Sequence, residues 1–206
     1  MSFREQRIYL ASRSPRRREL LKQIGINFDV LLLREDPARG EDVDERPLPD
    51  EQPHDHVTRI AKAKAELGWV RVIQRRLRPS LVLGADTAVI LDGEVFGKPE
   101  NRQDAERILA KLAGRSHQVL SAVALCYREQ VQLRLSSSTV EFRPLTEHEI
   151  RRYVATGEPL DKAGAYAIQG RGAAFIRNIT GSYSGVMGLP LFETVELLQY
   201  FGFEIL

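Results

Sequence analysis

The run Leu81-Val82-Leu83-Gly84-Ala85-Asp86-Thr87-Ala88-Val89-Ile90-Leu91 restricts the fold more than any other stretch of the chain. Apolar character this continuous suits a central strand covered on both faces, not one with a face in water. Gly84 marks a candidate break in the strand. Asp92-Gly93 reads as a tight hairpin turn that returns through Glu94-Val95-Phe96. Asp86 and Thr87 interrupt the apolar run. A carboxylate there must be paired, metal-bound or protonated, because an isolated buried charge is too costly. Structural pairing is one reading of Asp86; catalysis or metal binding is the other, and the preferred one.

A second feature lies near the start. Ile8-Tyr9-Leu10-Ala11 reads as a strand, and Glu19 to Ile24 as a helix closed by Gly25. Between them stands Ser12-Arg13-Ser14-Pro15-Arg16-Arg17-Arg18. Ser14 suits an N-cap and Pro15 the first helical position. Cations in a first turn are unfavourable by about 0.3–1 kcal/mol each. Arg16, Arg17 and Arg18 therefore read either as a solvated basic turn or as an anion site. Phosphate fits the second reading, since N–H groups, hydroxyls and guanidinium forks all donate to it.

Between these features, Phe28 to Leu33 is a further strand, and Arg34 to Pro53 a long proline-rich loop. Its acids Glu41, Asp42, Asp44 and Glu45 form either a solubilising run or a source of metal-holding carboxylates. A helix follows from Asp55 to Leu67, with Val57, Ile60, Ala61 and Leu67 as its apolar stripe. Gly68 weakens its extension toward Leu77. Lys64 falls on the stripe and Lys62 points away. A lysine on an inner face must reach an anion, line a cavity or snorkel to water. Lys98 stands just beyond the hairpin.

Downstream, Asn101 caps a helix that ends at Gly114, and Val119 to Tyr127 pairs with Val131 to Phe142 as an antiparallel ladder. Thr146 to Glu149 is a capping box. The small residues from Glu158 to Gly170 permit close backbone approach to a ligand. Ala173 to Ile179 reads as a strand, Gly181 to Gly185 as a loop, and Pro190 starts a final helix with Leu191, Val195 and Leu198 inward.

With 206 residues, 43% hydrophobic and 28% charged, the chain reads as one large globular domain or two small ones, with a substantial core and no linker that divides it cleanly. The net charge of +2 does not point to nucleic acid. Arg71 to Arg78 reads as a solvated helix face. Cys126, the single cysteine, sits in an apolar run and suits a buried thiol in a reducing compartment. No apolar stretch is long enough to cross a membrane and no signal-peptide core is present, so the cytoplasm is expected.

Ser12-Arg13-Ser14-Pro15-Arg16-Arg17, Gly84-Ala85-Asp86-Thr87, Lys98-Pro99, and Glu158-Pro159-Leu160-Asp161-Lys162-Ala163-Gly164-Ala165-Tyr166 with Ile168-Gln169-Gly170 resemble, in order, the motifs of the Maf family. The resemblance runs from Ile8 to the final helix. It implies an α/β fold with a long mixed sheet and flanking helices, in two lobes around a cleft, like the inosine triphosphate pyrophosphatases. It implies cleavage of a nucleoside triphosphate to monophosphate and pyrophosphate, with a divalent metal cation, Mg²⁺ or Mn²⁺, and a homodimer.

Carried over by motif, Asp86 is the proton acceptor and a metal partner. Glu45, in Val43-Asp44-Glu45, matches the metal-site acid. Ser12, Arg16, Arg17, Lys64 and Lys98 match phosphate-binding positions. Arg16, Thr87 and Gln169 resemble the specificity set of the branch acting on dTTP and UTP. The branch acting on 7-methyl-GTP has tryptophan, glutamine and glutamate there. No Gly-x-x-x-x-Gly-Lys-Ser/Thr loop is present. Two other classes remain: a nucleic-acid-binding regulator of division, and an interaction module in septation. Near-neutral charge weighs against the first; intact Asp86, Lys64 and Lys98 weigh against the second.

Overall fold

The structure, a computed structural model, describes residues 7–34 and 42–205. In chain order its elements are β1 (Arg7–Leu10), α1 (Pro15–Gln23), β2 (Asn27–Val30), α2 (Pro53–Gln74), β3 (Val82–Leu91) and β4 (Glu94–Phe96). They continue with α3 (Arg102–Leu112), β5 (Ser116–Tyr127), β6 (Gln130–Phe142), α4 (Glu147–Ala155), β7 (Ile176–Thr180), α5 (Tyr183–Met187) and α6 (Leu191–Tyr200). The strands form one sheet in the order β2-β1-β3-β5-β6-β7, with β4 on β3. Strand β1 is parallel to β2 and β3, whereas β3 with β4 and β6 with β7 are antiparallel. This is the expected mixed α/β sheet with helices. By proximity the residues group into two compact units, Met1–Asp86 with Ser121–Ser136 and Gly188–Leu206, and Thr87–Leu120 with Ser137–Met187.

In the first unit, α1 starts as its sequence dictates. The Ser14 hydroxyl accepts from the Arg17 N–H at 3.4 Å, Pro15 occupies the first turn, and no acid helps there. Removing that cap leaves an amide unsatisfied beside three arginines. Ser14→Ala is therefore expected to lower stability by about 1 kcal/mol, read from denaturant midpoints.

Strand β2 is shorter than the Phe28–Leu33 expected. Leu31 and Leu33 are nonetheless buried, and the Leu31 N–H donates to the Leu10 carbonyl at 2.9 Å. Helix α2 is longer than expected and runs straight through Gly68. A Cβ at Gly68 would lie 2.6 Å from Val82 Cγ1 and 3.3 Å from Ala11 Cβ. The glycine thus costs helix propensity, about 1 kcal/mol, but lets α2 close on the strands. Gly84 does not break β3, contrary to expectation. Its Cβ would meet the Ala61 carbonyl at 2.4 Å and the Ala65 N–H nitrogen at 2.5 Å. The helix backbone lies directly against the strand there. Of the basic run Arg71 to Arg78, Arg75, Arg76 and Arg78 are exposed as expected, whereas Arg71 is half-buried. Arg71 pairs with the buried carboxylate of Asp42, which Arg34 also holds, and Arg75 donates to the Leu32 carbonyl at 3.0 Å. The final helix buries Leu198 as expected, but Thr194 and Leu197 are buried with it, while Leu191 and Val195 are only half-buried.

The second unit is built on a core that includes Val89, Phe96, Leu109, Phe142, Tyr153 and Phe175. The capping box at Thr146 and Glu149 forms as expected. Asp92 and Gly93 take positive φ in the β3–β4 hairpin, the backbone that the Asp-Gly pair predicts. Glycines after Glu158 are closely packed within this unit. A Cβ at Gly164 would lie 2.6 Å from Val89 Cγ2, one at Gly170 2.4 Å from Glu158 Oε1, and one at Gly172 2.8 Å from the Tyr153 hydroxyl. Residues Arg171–Phe175 form a 3₁₀ turn, so β7 begins only at Ile176, against the expected strand from Ala173. The turn drives Phe175 into the aromatic core beside Tyr153, ring centroids 4.9 Å apart. The expected loop at Gly181–Gly185 is partly the short helix α5. The Ser182 hydroxyl enters it by accepting from the Gly185 N–H at 3.0 Å.

Candidate active site

Gly84 and Asp86 are two apart on β3, so they share a face of the strand. Because Gly84 admits the α2 backbone, the lysine one turn along that helix reaches the carboxylate. Lys64 Nζ stands 2.9 Å from Asp86 Oδ1 and 2.7 Å from Glu45 Oε1. Lys64 and Asp86 side chains are each 13% exposed, whereas Glu45 is 45% exposed. One ammonium therefore bridges an inner and an outer carboxylate, and the trio keeps a net negative charge. That settles the alternatives for Lys64: it reaches anions instead of snorkelling. Lys62, as expected, points outward and pairs with Glu66 at 3.7 Å.

The first turn of α1 borders the same place. Arg17 Nη1 donates to the Ala85 carbonyl at 2.8 Å and to Ser12 Oγ at 3.2 Å, and its Nε donates to the Gly188 carbonyl at 2.8 Å. Burial lowers the Arg17 pKa, while the Asp86 and Glu45 carboxylates raise it. Ser12 Oγ also accepts from the Ser14 N–H at 3.2 Å. Arg17 and Ser12 thus shape the loop around protein groups. Arg16 is half-buried in the first turn beside them.

The acidic loop sorts itself by partner. Asp42 is held by Arg71 and Arg34, Asp44 accepts from Arg46 at 2.7 Å, and Glu51 accepts from Arg59 at 2.6 Å. Glu45 instead reaches the lysine. Glu41 lies outside the described residues. Glu45 and Asp86 offer hard oxygen donors on either side of the Lys64 ammonium. Such a pair fits Mg²⁺, which takes one or two carboxylates and completes its octahedron with water and phosphate oxygens. Among the described residues no group of three or more His, Cys, Asp or Glu is gathered for a metal.

Thr87, Lys98 and Gln169 belong to the second unit. Thr87 follows Asp86 on β3 and is half-buried. Lys98 is exposed, and among the described residues its ammonium has no acidic partner. Gln169 is exposed too. The loop that carries it is organised by Glu158, which the sequence quoted only as part of a motif. Burial opposes the Glu158 charge. The Arg171 N–H at 3.1 Å, the Tyr153 hydroxyl at 2.8 Å and the Gly172 N–H at 3.2 Å outweigh it and hold the carboxyl below its ordinary pKa. Tyr153 in turn accepts from the Ala167 N–H at 3.1 Å. Sequence reasoning also missed Arg59 and Glu51. They are eight apart across a helix start, with no local pattern to link them.

The family model described as Maf-like protein matches residues 7–201. A dTTP/UTP pyrophosphatase of Nitrosomonas europaea is 58% identical over 198 residues, 96% of this chain and 96% of that protein. Another of Nitrosospira multiformis is 58% identical over 97% of this chain and 96% of its own length. A third, of Aromatoleum aromaticum, is 55% identical over 98% of each. Among solved structures, the Staphylococcus aureus Ham1 protein aligns with a TM-score of 0.49 and 17% identity, over 95% of this chain and 97% of that one.

Proposed function

The chain belongs to the Maf-like protein family, and from that membership we propose that it is a nucleoside triphosphate pyrophosphatase that cleaves dTTP and UTP. The observation that carries the chemistry is the Lys64 ammonium set between Asp86 and Glu45 at the start of α1. The reaction adds water at the α-phosphorus, breaks the α–β anhydride bond, and releases nucleoside monophosphate and pyrophosphate. Asp86 takes the proton of that water, and its ion pair with Lys64 at 2.9 Å fixes the carboxylate that does so. Lys64 holds Asp86 in place and offers its ammonium to the phosphate oxygens. Ser12 and Arg16 donate to the polyphosphate, and Arg17 keeps Ser12 in position by its own bonds to Ala85 and Gly188. Lys98, Thr87 and Gln169 enter by the family motif: Lys98 on the phosphates, Thr87 and Gln169 with Arg16 on specificity. Glu45 and Asp86 would hold Mg²⁺ or Mn²⁺, which supplies charge neutralisation of the anhydride. The whole chain acts as one functional domain, and the family resemblance adds a homodimer and a cytoplasmic setting. No described helix is long and apolar enough to cross a membrane.

A panel of nucleoside triphosphates with Mg²⁺ or Mn²⁺, following pyrophosphate separately from phosphate, tests the reading. Pyrophosphate from dTTP and UTP is expected. Preference for 7-methyl-GTP would overturn the pyrimidine assignment, and no turnover of any nucleotide would overturn the enzyme. Gln169 offers both a donor and an acceptor to a pyrimidine edge, whereas a glutamate only accepts. Gln169→Glu is expected to lower kcat/KM for UTP by about 10–100-fold. Unchanged UTP kinetics would remove Gln169 from base recognition.

A further inference from the structure

Glu45 is the more exposed of the two carboxylates, and it lies in a loop without regular structure. Something must fix its position, because a carboxylate free to swing loses its place at Lys64. Its two chain neighbours are gripped by one side chain. Arg59, on the second turn of α2, donates from Nη1 to the Asp44 carbonyl at 3.1 Å and from Nη2 to the Arg46 carbonyl at 3.0 Å. The same guanidinium forms a fork on Glu51, Nε to Oε1 at 2.6 Å and Nη2 to Oε2 at 2.9 Å. Glu51 is 6% exposed on its side chain, and its Oε2 also accepts from the Leu48 N–H at 3.0 Å and meets His56 Nδ1 at 3.0 Å. One arginine thus holds the backbone on both sides of Glu45, and a buried carboxylate locks that arginine.

We propose that Arg59, locked by Glu51, is a positioning residue that sets Glu45 against Lys64 and Asp86. The proposal rests on the pyrophosphatase reading above. The geometry needs a planar fork with several donors. A lysine carries the charge but cannot reach both carbonyls and Glu51 together. Glu51→Gln keeps the shape and removes the charge that orients the fork.

The test compares wild type, Arg59→Lys, Glu51→Gln, Glu45→Gln and the Arg59→Lys/Glu45→Gln double variant, each checked for folding by thermal melting. Turnover of dTTP and hydrogen exchange of the 42–51 segment are followed. Arg59→Lys and Glu51→Gln are both expected to lower kcat by at least tenfold, with KM changed by less than threefold. Amide exchange should rise in 42–51 and not in β3. In the Glu45→Gln background, Arg59→Lys should cost no more than twofold further, because Arg59 acts through Glu45. Full additivity in the double variant would overturn the proposal, and so would wild-type kcat in both single variants. If Arg59→Lys fails to fold, Glu51→Gln decides the matter by the same kcat and exchange readouts. A wild type without dTTP or UTP turnover would overturn the pyrophosphatase reading itself; the exchange pattern then still shows whether Arg59 holds the Glu45 loop.

Discussion

Asp86→Asn is expected to lower turnover of dTTP and UTP by about 10²–10⁴-fold while the protein stays folded. The amide matches the carboxylate in shape and fits the same strand position, but it cannot take a proton from water. Lys64 does not lose every anion, because Glu45 stands 2.7 Å from the same ammonium. The lost charged hydrogen bond should therefore cost roughly 1.5–3 kcal/mol, within the 5–15 kcal/mol typical of a folded domain. Pyrophosphate release assays, with circular dichroism and melting on the same sample, separate the two effects. Turnover within tenfold of wild type in a folded variant would remove Asp86 as the base.

Gly84→Ala should damage both stability and activity, although it adds only a methyl group. The new Cβ would sit 2.4 Å from the Ala61 carbonyl oxygen and 2.5 Å from the Ala65 nitrogen, and 3.0 Å from Lys64 Cβ. The first two are helix backbone and cannot rotate away. Helix α2 must lift off β3, at a cost of about 3 kcal/mol. Lys64 rides on that helix, so the lift also draws its ammonium from Asp86. A displacement near 1 Å is expected to cost about 10²-fold in kcat. Gly68→Ala is the instructive comparison: its close neighbour is the Val82 side chain, at 2.6 Å, and should be the milder lesion. Urea midpoints and dTTP turnover for the two variants check the order. Equal stability of Gly84→Ala and wild type would mean that α2 and β3 are less tightly apposed than the structure has them.

Much of this protein could be read without coordinates. The apolar run around Asp86 demanded a covered strand. The Ser14-Pro15 start, the Asp-Gly hairpin and the Thr146 capping box formed as local chemistry requires, because each is settled by residues within one turn of chain. The position of Lys64 on an apolar stripe left it an anion, a cavity or water, and the fold supplies the anions. The errors share a cause. Gly84 looked like a break and Gly68 like a stop. In each case the missing Cβ answers a partner distant in sequence, Ala61 or Val82.

Most element types, a carboxylate inside an apolar strand, a lysine on an apolar helix face, and the family motifs were legible in the residues alone. The motif already named Glu45; the fold supplies the reason, since arginines take Asp42, Asp44 and Glu51 while Glu45 reaches Lys64. The fold likewise turned Arg17 onto the carbonyls of Ala85 and Gly188. Local propensity and periodicity act over a turn or two of chain. The choice of a charge's partner is made by residues far apart in sequence, once burial leaves each charge few neighbours to choose from.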